Sequence, residues 1–199
     1  MTYPINLLVE GPTDEVVLHR LLAYAKVPPG TTYGKHGKAA LLARLASYNQ
    51  AARHYPWLVV VDLDQDAECA PDYLAEILPT PAPHMHLRVA VHAIEAWLLA
   101  DAEHLAALLH IPRTRIPVLP DAEDDPKSTL VGLARRSRSP TIREDMVPRP
   151  GSGAKVGPGY VGRIIEFVAT SHSYAWRPAV AAEYSNSLRR CLDALRRLR

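Results

Sequence analysis

The chain has 199 residues, enough for one well-cored domain or a compact core with an added cap, and too few for several independent folding units. Hydrophobic residues make up 48% and charged residues 22%, which argues against wholesale disorder; the 18 prolines, about 9% of the chain against a usual ~5%, mark rigid boundaries without a collagen repeat. Lys and Arg number 23 against 21 Asp and Glu, so a net charge of +2 does not by itself identify a nucleic-acid binder.

Residues 5–9 read as a short buried strand, followed by the turn Glu10, Gly11, Pro12 and Thr13. Thr13 caps a predicted helix whose apolar face carries Val17, Leu18, Leu21, Leu22 and Ala25. The chain changes register at Pro28, Pro29 and Gly30, and a second helix is expected over 39–48. Residues 57–61 form the clearest strand, and the acidic stretch Asp62, Leu63, Asp64, Gln65, Asp66 begins at its end. The order is therefore strand, helix, helix, strand, site. Pro71 opens a short helix that ends before Pro79, and residues 84–91 hold another strand. Helical patterns follow over 94–100 and 102–109, parted at Asp101, and a helix capped by Asp125 opens at Pro126. Residues 135–155 read as loop, and helices resume after Pro158 and again from Glu183 onward.

This alternation predicts an α/β fold, a mostly parallel sheet flanked by helices over residues 1–110, with a C-terminal helical extension or cap over 111–199. The carboxyl ends of the strands are then the active edge. Cys69 and Cys191 lack CxxC spacing, which argues against a disulfide scaffold or a cysteine zinc site. Neither a signal peptide nor an 18-residue membrane span is visible, so a cytoplasmic protein with no membrane partner is expected.

Charge is unevenly spread. Six acids and no Lys or Arg lie between Asp62 and Glu76, whereas seven basic residues face two acids from Lys127 through Lys155, and five arginines fall between Arg189 and Arg199. Glu10 and Asp62 each follow a predicted parallel strand, so sheet pairing can bring them together across 51 intervening positions. Asp62, Asp64 and Asp66 recur every two residues and share a side wherever the chain stays extended, while a turn after Asp64 redirects Asp66. Carboxylates packed this closely repel unless a cation compensates them, and Mg2+ prefers oxygen ligands. A divalent-metal site follows.

VEGPTDE after the first strand and VVVDLDQD after the later one resemble the Toprim catalytic domain of topoisomerases, bacterial primases and overcoming-lysogenization-defect-type nucleases. The resemblance covers about residues 1–100 and implies a Toprim-like metal-binding core. It assigns Glu10 to acid/base chemistry and Asp62 and Asp64 to Mg2+, with Asp66 at a more variable third position. With HAIEAWLLAD at 92–101, DPKSTL at 125–130 and EYSNSLRRCLDAL near the terminus, the chain also resembles the DUF4276 group of small Toprim-like proteins. Some members of that group sit beside ATPases in bacterial defence islands. Leu188 stands where an aromatic is more usual.

Other candidates carry two readings each. Glu95 assists a second metal or orients water, or else makes a structural hydrogen bond. Lys127 holds a phosphate, or pairs with one of the preceding acids. Arg135, Arg136 and Arg138 form a phosphate-contacting patch or a solvated face, and Lys35, His36 and Lys38 form another such cluster beside Gly34 and Gly37. Asp101 reads as a helix cap and Trp97 as core. His84, His86 and His92 lack HExxH spacing, Ser185 and Ser187 lack a nucleophile elbow, and no Walker lysine marks a nucleotide cofactor site.

The leading expectation is Mg2+- or Mn2+-dependent phosphodiester hydrolysis of nucleic acid by a nuclease, with DNA preferred over RNA by resemblance. Glu10, Asp62, Asp64, Glu95 and Lys127 are its catalytic candidates, and Glu10, Asp62, Asp64 and Asp66 its metal candidates. The alternatives are a regulatory or binding subunit partnered by a separate ATPase, and a small-molecule phosphohydrolase. A homo-oligomer is compatible with each.

Overall fold

Two apolar runs that bury nearly every side chain build the centre of the sheet. They are Ile5–Val9, which forms β1, and Trp57–Asp62, which forms β3. In the computed structural model, which describes residues 3–198, β1 is followed by α1 (Pro12–Ala25), β2 (Pro29–Gly34), α2 (Lys38–Ala51), β3, α3 (Ala70–Ile77) and β4 (Met85–Ala90). All four strands run parallel in the order β2-β1-β3-β4. The fold class is therefore the α/β architecture that the sequence predicts.

The first elements differ from the expected strand, helix, helix, strand. The segment PGTTYG, with one proline and two glycines, carries little β-propensity, yet it adds to the edge of the sheet as β2. Its fit is tertiary. Thr31 donates its backbone N–H to Asn6 Oδ1 at 3.0 Å, and a Cβ on Gly30 would come within 2.6 Å of that same oxygen. The start of α1 also differs, because Gly11 and not Thr13 is its N-cap, and Asp14 Oδ2 accepts the Gly11 N–H at 2.7 Å.

From β1 the chain crosses through α1 to β2 on one side, then returns through α2 to β3 on the other. Right-handed crossovers in opposite directions put α1 and α2 on opposite faces of the sheet. One core layer accordingly joins Leu8, Val59, Val61, Leu87 and Val89 to Leu41 and Leu45 of α2 and Tyr73 of α3. The alternate strand positions Leu7, Val9, Leu58 and Val60 point the other way, where α1 buries Val17, Leu18, Leu21 and Leu22. The carboxyl ends of β1 and β3 lie side by side where the winding reverses, the place at which open parallel sheets form ligand crevices.

The compact units do not divide near residue 110. One runs to Val91 and takes back the residues from Ser187 onward; the other spans His92–Asn186. The second contains α4 (Ile94–Leu99), α5 (Ala102–Leu109), two short 3-10 turns, α6 (Pro126–Arg135), α7 (Pro140–Met146), α8 (Tyr160–Val168) and α9 (Pro178–Tyr184). Its core includes the fully buried Trp97 and Trp176, whose indole Nε1–H donates to the Trp97 carbonyl at 3.0 Å. α7 lies inside the stretch read as loop: Ser139 caps it and Pro140 stands in its first turn, signals masked by the prolines and glycines that follow. The last helix, α10 (Asn186–Arg196), buries Leu188, Cys191, Leu192 and Leu195, a helical 3-1-3 spacing. Arg199 lies outside the described residues. Among those described, no helix is long and apolar enough to cross a membrane.

Candidate functional site

β1 leaves the sheet before it draws level with the end of β3, since their printed pairing stops at Leu8 and Val59 while β3 continues beside β4 to Asp62. The Asp62 backbone N–H is therefore not met by a β1 carbonyl. Glu10, the first residue beyond β1, turns its carboxylate there and accepts that N–H on Oε1 at 3.0 Å. The two acids separated by 51 positions thus meet at the switch point of the sheet. Burial pushes the Glu10 carboxyl up from its ordinary 4.5 to about 7; the Asp62 N–H opposes the rise, Asp14 and Asp64 add to it, and Lys38 reduces it.

The acidic stretch does not stay extended. Asp62 belongs to β3 and is only 8% exposed, but Asp64 has φ +50°, in the left-handed region that Asp tolerates better than most residues, and a turn closes with Asp66 N–H donating to the Leu63 carbonyl at 3.1 Å. The turn runs from Leu63 to Asp66 with Asp64 and Gln65 at its corners, beginning before Asp64 and not after it, and it leaves Asp64 and Asp66 on the exposed side.

What draws these two together is Lys38. Its Nζ donates to the Asp62 carbonyl at 2.5 Å, to Asp64 Oδ2 at 2.9 Å and to Asp66 Oδ2 at 2.6 Å, and it lies 5.1 Å from the centre of the Tyr73 ring. Tyr73 Oη also donates to Asp66 Oδ2, at 3.2 Å. Burial opposes the ammonium charge most, but the hydrogen bonds to Asp66 and Asp64 together outweigh it and hold Lys38 above the usual lysine range. The same contact holds Asp66 below the usual carboxylate range.

The loop that delivers Lys38 wraps over the end of β1. Lys35 N–H donates to the Val9 carbonyl and Gly37 N–H to the Glu10 carbonyl, at 3.0 and 2.9 Å. Gly34, at φ +99°, approaches so closely that a Cβ would sit 2.2 Å from the Val9 oxygen. Lys35 itself pairs with Glu15 at 2.8 Å. Of the expected phosphate-facing cluster of Lys35, His36 and Lys38, both lysines are paired with carboxylates in this structure.

Glu95 and Lys127 belong to the second unit, where they pair with each other. Glu95 is 1% exposed; its Oε1 accepts from Tyr160 Oη at 3.1 Å and lies 3.4 Å from Lys127 Nζ, while Oε2 has no hydrogen-bond partner. Lys127 thus has an ion pair with Glu95, within the second unit. Tyr160 is buried, with its hydroxyl on Glu95. Asp125 caps α6 through the Ser128 N–H and Asp101 caps α5 through the His104 N–H, both as expected. Trp97 is core. Ser185 is buried and donates to Asp121. Arg135, Arg136 and Arg138 are exposed, with Arg138 turned to the His110 carbonyl. Cys69 and Cys191 are free thiols, and burial pushes that of Cys191 up to about 12.

Among the described residues, no three His, Cys, Asp or Glu side chains form a ready metal cage. The donor set at the sheet edge still suits a hard divalent cation: it consists of carboxylate oxygens, one of them on the buried Asp62, and an ammonium already stands among them as a cation. Lys38 is the member of this site that sequence reasoning missed as a carboxylate partner. Nothing in its spacing pointed to Asp64 or Asp66, and only the fold of the preceding loop aims it there.

The raised Glu10 value has a measurable consequence in EDTA. A carboxyl whose folded pKa lies above its unfolded one binds the proton more tightly when folded, so stability falls as pH rises from about 4.5 to about 7. Thermal unfolding of the wild type across that window is expected to show this loss on top of the other titrations, and Glu10→Gln to lack that component. Parallel pH profiles for the two proteins would refute the assignment. Comparisons with family models, curated proteins and solved structures find no match to this chain.

Proposed function

We propose that the edge formed by Glu10, Asp62, Asp64 and Asp66 is the centre of a Mg2+-dependent phosphodiesterase that acts on nucleic acid, with DNA ahead of RNA. The observation that carries this reading is the Glu10 carboxylate seated on the Asp62 amide at the switch point of a parallel sheet. VEGPTDE and VVVDLDQD stand at those two strand ends, the arrangement in which the Toprim resemblance gives Glu10 the acid/base role and Asp62 and Asp64 the metal. Asp62 and Asp64 hold the ion, with Mn2+ able to replace Mg2+ and Asp66 as a further oxygen donor. When bound, the ion polarises the phosphoryl oxygen and activates water. Glu10 keeps one oxygen on the Asp62 N–H and moves a proton at the other. The reading rests on the first unit alone.

A second reading draws on Lys38. An acidic pair already half neutralised by a tethered ammonium is a weaker metal site, which supports a binding or regulatory subunit that stays inactive until a partner, such as a separate ATPase, rearranges it.

Purified protein incubated with supercoiled DNA, linear DNA, RNA and small phosphate esters, in Mg2+, Mn2+ or EDTA, separates the readings. Cleavage of nucleic acid that requires the metal is expected. Turnover of small esters alone would move the assignment to a phosphohydrolase. An absence of cleavage with and without a co-purified ATPase that still binds would favour the regulatory subunit.

A further inference from the structure

The Lys38 ammonium has three N–H donors, and three oxygens take them: the Asp62 carbonyl, Asp64 Oδ2 and Asp66 Oδ2. The Lys38 side chain is 17% exposed, whereas those of Asp64 and Asp66 are 55% and 48% exposed, so the lysine lies beneath two acids that solvent and ions can reach. Its stem leaves the first turn of α2 from a loop pinned to Val9 and Glu10, which fixes the ammonium at the acidic turn. A divalent ion taking Asp64 and Asp66 would bind carboxylates whose Oδ2 atoms already hold the ammonium, and two cations in contact with one carboxylate pair repel strongly.

We infer that Lys38 is a tethered cation that competes with the divalent metal for Asp64 and Asp66, shaping the acidic turn when metal is absent and leaving those two carboxylates when metal enters. This rests on the metal site proposed above and names its regulation: the affinity of the site is set by the cost of displacing Lys38. Metal entry then frees the two donors that Asp64 and Asp66 held, beside the ion, where they are available to an anionic phosphate. Lys38 is a positioning residue in this account, because it acts through the aspartates.

The test uses the full chain and Mn2+ alone, read by electron paramagnetic resonance and calorimetry. Lys38→Met, which keeps length and removes charge, is expected to bind Mn2+ roughly tenfold or more tightly than the wild type, as loss of a like charge at contact distance requires. Lys38→Arg is expected to stay near wild type. In the wild type, acetylation of Lys38 followed by mass spectrometry is expected to rise on saturation with Mn2+, while Lys35, paired with Glu15, serves as reference. Equal or weaker Mn2+ affinity in a Lys38→Met protein with an unchanged circular dichroism spectrum overturns the inference. So does a Lys38 that stays equally protected in metal. If both proteins bind Mn2+ alike, the metal site survives and the competition does not; if neither binds, both are lost. Should Lys38→Met fail to fold, the acetylation result on wild type decides.

Discussion

Replacing Asp62 and Asp64 together by asparagine is expected to lower metal-dependent nucleic-acid cleavage by roughly a thousandfold or more, the scale of loss when preorganised charge is taken from a reacting centre. Asparagine keeps the shape of each side chain and removes two negative charges that a divalent ion needs. The contact that seats Glu10 runs to the backbone N–H of Asp62, so it survives the exchange, and β3 keeps its pairing with β4. Cleavage should therefore disappear while the circular dichroism spectrum and the melting temperature in EDTA stay close to wild type. Loss of the Asp64 charge also removes one of the influences that raise Glu10, which the pH profile of the variant can report. A double variant that cleaves DNA within a few-fold of wild type would end the proposed mechanism, because no other pair at this edge combines a buried carboxylate with the Glu10 contact.

The second large effect lies in the other unit and concerns stability. Asp101 is fully buried between α4 and α5, and Arg177, just before α9, answers it with both side chain and main chain. Its Nη2 donates to Oδ1 at 2.7 Å, its Nε and backbone N–H donate to Oδ2 at 3.1 and 2.9 Å, and Nη2 also reaches Glu103 at 2.9 Å. Removing one partner of such a pair strands a charge in the interior. Arg177→Met is expected to destabilise the protein by about 3 kcal/mol, the low end for a broken buried pair because the guanidinium is one-third exposed. Chemical denaturation measures this directly. Asp101→Asn added to Arg177→Met should recover much of the loss, since the stranded charge is then gone and asparagine still caps α5. A single variant that costs less than about 1 kcal/mol would show that Asp101 finds other compensation.

Residue patterns carried the local half of this protein. An apolar run followed at once by an acid is legible at Val9–Glu10 and Val61–Asp62, because a buried strand and a charged terminus impose opposite demands on adjacent positions. The helices with strong stripes or caps were legible for similar reasons, as were the caps Asp101 and Asp125. The elements that escaped are those whose stability comes from neighbours. β2 is an edge strand with one proline and two glycines, held by Asn6, and α7 is a seven-residue helix beside a proline-rich stretch. The start of α1 escaped because its N-cap is a glycine with no side chain to cap the helix, and the Gly11 N–H is instead accepted by Asp14, three residues on.

At the site, the side-chain types were readable but their pairing was not. Composition and spacing alone determine that acids cluster after two strands and that a parallel α/β sheet would bring those strand ends together. Tertiary structure decided that Asp64 turns the chain, that Lys38 meets Asp64 and Asp66, that Lys127 pairs with Glu95, and that the final helix returns to the first unit. The physical reason is range: periodicity and caps act over three or four residues, whereas a lysine 24 positions before an aspartate finds it only after the sheet order has closed the distance.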